Sequence, residues 1–270
     1  MDDVPITFDF FLPHARPALV IGHPGHELMV HGWLEATKPL VFILTDGSGR
    51  SNQSRLPSTT KVLNQAGAKC GSIYGRLADA ESYAALLNND SDLFVGLARE
   101  LCDAFVANDI NYVAGDAFEG YNPMHDVCRL VINAAVTSSQ RAKGYGLSNL
   151  EFSLISPPTA SHEAPHKGDG ICRVLDDEAF AKKMKAANGY AELASEVQAT
   201  VDQTSIAALR VECMRPVGPN SAMFDGDELP FYESYGEKQV AAGHYREVLR
   251  YRDHIRPLAE ALERYAEGAI

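Results

Sequence analysis

Five short apolar runs punctuate the first part of the chain: PALVIG (17–22), PLVFILTDG (39–47), CGSIYG (70–75), NYVAGD (111–116) and LEFSLIS (150–156). Each has the length and the branched or aromatic content of a buried strand. Between them the apolar positions change to helical spacing. HELMVHGWLEA (26–36) is one such segment. STTKVLNQAGA (58–68) is another, with Ser58 or Thr59 placed to cap its start and Gly67 to end it. The stretch 91–109 gives the clearest helix, because Leu93, Phe94, Leu97, Leu101 and Phe105 recur every three or four residues. A further helix is predicted over 125–142.

Strands alternating with helices predict βαβ units and a mostly parallel sheet covered on both faces. Ligands of such sheets bind at the carboxyl ends of the strands. His23, Asp46 and Asp116 each stand at a predicted strand end, so three distant stretches converge on one rim. Beyond residue 156 the alternation stops. A loop rich in Pro, Gly and Ser (156–170) carries His162 and His166. A long helical stretch over 177–201 is expected next, then a strand in ALRVECMRPV (208–217), an aromatic loop over 220–239 and a charged helical tail with a break at Pro257. No flexible linker divides the halves. Residues 157–270 are therefore expected to cap the core formed by 1–156 rather than to stand as a separate domain.

The 270 residues include 46% hydrophobic positions, enough for one large α/β domain. The formal net charge of −12 argues against a nucleic-acid partner and against attachment to an anionic membrane. No apolar run reaches transmembrane length and the start of the chain is not a signal peptide, so a soluble cytoplasmic protein is expected. The five cysteines are widely spaced, without a CxxC pair, and read as small buried hydrophobes in a reducing compartment.

The first run ends abruptly in His23-Pro24-Gly25-His26-Glu27. Pro24 and Gly25 suit a tight strand-to-helix turn. Two histidines three residues apart at such a turn can address one atom, and neutral imidazoles suit Zn²⁺, Fe²⁺, Co²⁺ or Ni²⁺. A catalytic metal wants a third protein ligand. His125, after the fourth run, is the candidate. On its own the HxxH pair is a weak signal.

Three stretches, VIGHPGHE, VFILTDGSGRSNQSRLPSTTKVLNQAGA and EGYNPMHDVCRLVINAA, resemble in order and spacing the LmbE/PIG-L family of metal-dependent de-N-acetylases. Members carry His-Pro-Asp-Asp-Glu after the first strand, a Thr- and Gly-containing loop after the second, and a later His-Pro-Asp-His motif. The resemblance covers roughly the first 156 residues. It implies a Rossmann-like three-layer α/β sandwich and a Zn²⁺ held by His23, His26 and His125, with His26 standing where the family has an aspartate. It implies hydrolysis of an acetamido group on an amino sugar or sugar conjugate, with metal-bound water as the nucleophile. It also implies that Arg50 or Arg55 holds substrate hydroxyls or phosphate, a task that suits bidentate Arg. The alternative is a pair of solvated loop arginines.

The departures fall on acid–base groups. The family's general base is replaced by Gly25, its second-motif histidine by Asn122, and the aspartate that orients that histidine by Met124. Asn122 can donate a hydrogen bond to an oxyanion but cannot transfer a proton. Asp46 ranks first among substitute bases, ahead of Asp116, Glu119 and Asp126, although Asp-Gly is also a common turn pair. Glu27 reads as structural. A non-catalytic, metal-containing protein that binds a sugar-like ligand or a partner is the second reading. A nucleotide-using enzyme ranks third, because no GxGxxG follows the first run. The aromatic and polar residues between Tyr232 and Tyr245, His244 among them, suit sugar binding or a homo-oligomer contact.

Overall fold

The computed structural model describes residues 15–144, 146–155, 170–218, 224 and 229–269. His162 and His166 lie outside the described residues. Strand β1 (Pro17–Ile21) is buried along its whole length, and the chain then leaves through a short turn into α1 (His31–Thr37). There follow β2 (Leu40–Thr45), α2 (Leu56–Ala66), β3 (Lys69–Leu77), α3 (Asp79–Leu87), α4 (Ser91–Ala107), β4 (Tyr112–Asp116), α5 (Pro123–Lys143) and β5 (Ser148–Phe152). The second half contributes β6 (Ile171–Val174), α6 (Asp177–Asn188), α7 (Ala194–Gln203), α8 (Ile206–Leu209), β7 (Val211–Pro216), α9 (Phe231–Ala241) and α10 (Arg256–Glu267).

The sheet order is β3-β2-β1-β4-β5-β7-β6. Strands β1 to β5 run parallel, whereas β7 lies antiparallel to β5 and β6 antiparallel to β7. The expected α/β class with a mostly parallel sheet is what the chain adopts. The period-two alternation of the strands sorts the core into two layers. Ala18, Val20, Phe42 and Leu44 pack with α3, α4, α5 and α10, while Leu19, Ile21, Val41 and Ile43 pack with α1, α2 and α6. The chain reverses its direction of travel across the sheet between β1 and β4. The crevice outside their carboxyl ends is the place where such folds bind ligands.

Several expectations shift. Helix α2 starts at Leu56 with Pro57 in its first turn, because Pro has no amide to satisfy there. The 177–201 stretch is two helices, separated around Gly189 to Leu193. Residues 231–241, read as loop, form α9, in which Gly236 weakened the sequence pattern. Pro257 does not break the tail; it sits in the first turn of α10, after a π-helical turn at Tyr251–Ile255. Cys172 and Cys213, opposite each other on β6 and β7, form a disulfide, and Cys70 is exposed. Among the five cysteines, only Cys102 and Cys128 are free and buried as expected.

Two buried charge networks tie the halves together. The fully buried Arg129 donates to the Asp116 carbonyl at 2.6 Å, to Asn149 Oδ1 at 2.9 Å and to the Leu150 carbonyl at 3.2 Å. Its guanidinium lies 3.9 Å from Glu151, which also pairs with Arg215 of β7 at 2.8 Å. On the other layer Glu212 of β7 accepts from the Gly32 and Trp33 amides, both at 3.0 Å, and pairs with Lys183 of α6 at 3.1 Å. Glu212 thus satisfies orphan donors at the start of α1. No helix among the described residues is long and apolar enough to cross a membrane.

Candidate functional site

The turn after β1 is built by close backbone approach. A Cβ on Gly22 would lie 3.1 Å from Asp116 Oδ2 and 3.2 Å from the Met124 carbonyl, so a larger residue would push β4 and α5 back by a few tenths of an ångström. The Gly22 amide donates to Asp116 Oδ2 at 2.7 Å. Gly25 has φ +109°, a left-handed conformation that favours glycine. A short 3-10 turn, His26–Val30, then carries the chain to α1.

This geometry brings His23, His26 and His125 together. Their ring centres stand 5.4, 5.3 and 4.6 Å apart, each pair edge-on. His125 arrives on the first turn of α5, which Asn122 caps by accepting from the Met124 amide at 2.8 Å. Burial, then the neighbouring His26 and His23, hold the His125 pKa well below the usual histidine range, so it is neutral. His26 Nδ1 lies 2.9 Å from Asp116 Oδ2. His23 Nδ1 lies 2.7 Å from Thr45 Oγ1 and 3.2 Å from Asp79 Oδ1. The Thr45 hydroxyl donates to the Gly22 carbonyl at 3.0 Å, so toward His23 it accepts.

The carboxylates sort differently from expectation. Asp46 lies at the end of β2, but its Oδ1 accepts from the amides of Ser48 at 2.9 Å and Asp79 at 3.3 Å, as a turn aspartate does. Glu119 binds Ser153 and the Leu154 amide. Asp126 Oδ1 accepts from the Glu119 and Gly120 amides, both at 3.0 Å, and burial pushes its pKa up to about 7. Burial likewise raises Glu27 to about 7, with Oε2 on the Gly25 amide at 2.7 Å. Arg55 precedes α2, and its Cδ lies 3.1 Å from where a Cβ on Gly47 would stand. Arg50 belongs to the turn Gly49–Ser51, and its side chain lies outside the described residues. His244 is exposed, away from the histidine cluster in its bonding, with its amide on the Gln239 carbonyl.

The sequence reading missed three contributors. Asp79 opens α3 just past the end of β3; its Oδ2 accepts from the Gly49 amide at 2.7 Å. Burial works to raise its pKa, but hydrogen bonding and attraction from His23, with the Gly49 amide, leave it below the usual carboxylate range. The same strand-end rule that found Asp46 and Asp116 would have found it, had the third strand been read through to Leu77. Tyr83 donates to Asn122 Oδ1 at 3.2 Å. Leu193 stands over Gly25: a Cβ there would lie 2.5 Å from Leu193 Cδ1. Tyr190 beside it bonds Thr59, and Glu192 accepts from Ser58 at 2.7 Å, so this wall is fastened to α2.

The chain matches no protein-family model and no curated protein. Solved structures do resemble it. The A40926 pseudoaglycone deacetylase Dbv21 aligns at 18% identity and a TM-score of 0.51, over 76% of this chain and 97% of its own. A deacetylase of the teicoplanin biosynthesis pathway aligns at 12% identity and a TM-score of 0.53, over 75% and 97%. The zinc-inhibited form of teicoplanin deacetylase Orf2 aligns at 13% identity and a TM-score of 0.51, over the same shares. The fold is shared with these deacetylases.

Among the described residues, no group of three or more His, Cys, Asp and Glu is set to hold a metal as it stands. The donor chemistry of the histidine cluster nonetheless suits a divalent transition metal. Three imidazoles on one tetrahedral ion, with metal–nitrogen bonds of about 2.0–2.1 Å, hold their ring centres roughly 5 Å apart. The buried Nε2 of His23 also has no hydrogen-bond partner.

Proposed function

We propose that this chain is a metal-dependent hydrolase that removes an acetyl group from an N-acetylated amino sugar or sugar conjugate, with zinc held by His23, His26 and His125. The observation that carries the reading is the cluster of three imidazoles at the crevice between β1 and β4, two of them with an unpartnered buried nitrogen, His23 Nε2 and His125 Nδ1. The shared fold with deacetylases of glycopeptide pathways supports the reaction class. Zinc there supplies a Lewis acid for the acyl carbonyl and lowers the pKa of a water to near neutrality.

The chain's own groups do the rest. Asp46, oriented by the Ser48 and Asp79 amides, takes the proton of the attacking water. Asn122 accepts through Oδ1 from Met124 and Tyr83, which turns its amide nitrogen into the donor available to the oxyanion. Arg55 and Arg50 hold substrate hydroxyls on the loop after β2. The substrate is a small molecule, with neither nucleic acid nor membrane as partner. A homo-oligomer through the Tyr232 to Tyr245 segment remains part of this reading. So does a cytoplasmic setting, against which the Cys172–Cys213 bridge speaks, since such bridges persist in oxidising compartments.

One observation favours a second reading, a metal-containing protein that binds a sugar-like ligand without hydrolysing it. The place of the family's base is filled by Leu193 over Gly25. Zinc content per chain and acetate release from N-acetylated amino sugars separate the two. Hydrolysis predicts about one zinc per chain and acetate release, both lost in His125→Ala. Stoichiometric zinc without acetate release selects the binding protein. Absence of zinc after reconstitution removes both.

A further inference from the structure

Two of the three imidazoles have one ring nitrogen already engaged. His26 Nδ1 faces Asp116 Oδ2, which also accepts from the Gly22 amide. A carboxylate oxygen only accepts, so His26 carries its proton on Nδ1. His23 Nδ1 faces Thr45 Oγ1 and Asp79 Oδ1 together. Thr45 has already given its proton to the Gly22 carbonyl, so His23 too is protonated on Nδ1. Both rings therefore present a bare Nε2, and that of His23 is buried and unpartnered. Asp79 is itself held at both ends, by the Gly49 amide on Oδ2 and by Asp46 Oδ1 on its own amide.

We propose that Asp79 is a positioning residue for His23, fixing its Nδ1–H tautomer and raising the basicity of Nε2 toward a bound divalent cation. This rests on the metal reading above. A carboxylate behind a ligating histidine strengthens it as a donor, and losing that partner typically weakens metal binding about 10–100-fold. Asp79 also clamps Gly49, so the loop that bears Arg50 and Arg55 and the histidine cluster share one anchor.

The test uses the full chain with ¹⁵N-labelled histidine, freed of metal, and reads tautomers by long-range ¹H–¹⁵N correlation. Zinc affinity is read separately by chelator competition in the parent, Asp79→Asn, Asp79→Ala and Thr45→Val. The parent is expected to show His23 protonated on Nδ1 alone. Both Asp79 variants are expected to bind zinc about 10–100-fold more weakly, and neutral Asn is not expected to rescue. A purely structural Asp79 would lower the melting temperature of the metal-free chain and leave zinc affinity alone. A His23 proton on Nε2 overturns the proposal, as does zinc affinity within about twofold of the parent in both Asp79 variants. If Asp79→Ala does not fold, Asp79→Asn carries the comparison. If the parent takes up no zinc, the metal reading fails, and the tautomer measured in the metal-free chain still decides the orientation of His23.

Discussion

Under the proposed hydrolytic reading, placing a carboxylate at position 25 is the obvious way to supply a general base, and the geometry predicts that the chain tolerates it poorly. Gly25 adopts φ +109°, ψ −24°, so any β-carbon there meets backbone strain of roughly 1–3 kcal/mol. The same Cβ would stand 2.5 Å from Leu193 Cδ1, so that side chain must leave its rotamer at a further cost of about 0.5–1.5 kcal/mol. Gly25→Asp should therefore lose roughly 1.5–4.5 kcal/mol, a sizeable part of the 5–15 kcal/mol typical of folded domains. Adding Leu193→Ala removes the clash and leaves the strain, so the double variant should recover part of the loss. The assay is denaturant unfolding followed by Trp33, the single tryptophan, which is fully buried. Gly25→Asp within about 0.5 kcal/mol of the parent would refute the reasoning, since surface-like tolerance has that size. So would a double variant no more stable than Gly25→Asp alone. Gly25→Asp by itself should bring no gain in acetate release, because Leu193 occupies the space its carboxylate needs.

Asp46→Asn should reduce acetate release by about 10²–10⁴-fold if Asp46 is the base, and an unchanged rate in a steady-state assay passes that role to another group. Arg129→Met leaves the buried Asp116 and Leu150 carbonyls and Asn149 Oδ1 without their donor, while Glu151 keeps Arg215, and should cost about 3–5 kcal/mol in urea unfolding. Burial, aided by Lys183 and Lys182, lowers the His31 pKa from 6.5 to about 4. Its folded pKa is depressed, so stability is complete above pH 6.5 and falls as pH drops toward 4, by up to about 3 kcal/mol at about 1.4 kcal/mol per pH unit. His31→Phe should flatten that window in unfolding measured against pH. Cys172 and Cys213 lie 41 residues apart, and reduction or the double Ser variant should destabilise the chain by about 4 kcal/mol on loop entropy, read as a lower melting temperature. Thiol counting on protein taken from cells tells whether the bridge forms there.

The alternation of apolar runs and helical segments gave away the first five strands, most sharply β1, β2 and β4, whose burial on both faces leaves a continuous hydrophobic signature, whereas β3 is largely exposed. Strand order was not legible, since nothing in a sequence says that β4 pairs with β1 while β3 lies two strands away. That order is what makes the crevice beside His23 a natural binding place. The histidines were legible because three of them sat after strand ends in a family-like order. Asp79 stood within reach of the same strand-end rule, but that it and Thr45 both face His23 depends on contacts between strand ends that spacing does not encode. Position 46 is a mixed case: its strand-end placement and its turn chemistry were both foreseeable, while the amides of Ser48 and Asp79 that hold its Oδ1 are seen only once the loop is folded. The β6 strand, four residues long and half exposed, had no run long enough to register.

The glycine at position 25 and the form of the second half meet in one contact. Tyr190, Glu192 and Leu193 come from the break between α6 and α7, a segment the sequence reading folded into a single helix. That break lets Tyr190 reach Thr59, Glu192 reach Ser58 and Leu193 lie over Gly25. Lys183, two turns earlier on α6, is held by Glu212 and the Met29 carbonyl, so the segment is fastened on the near side of the turn as well. A larger residue at position 25 has to turn the Leu193 side chain aside, while the segment that carries it stays anchored at four points. Glycine is therefore favoured at position 25 by its backbone conformation first and by the Leu193 side chain over it second.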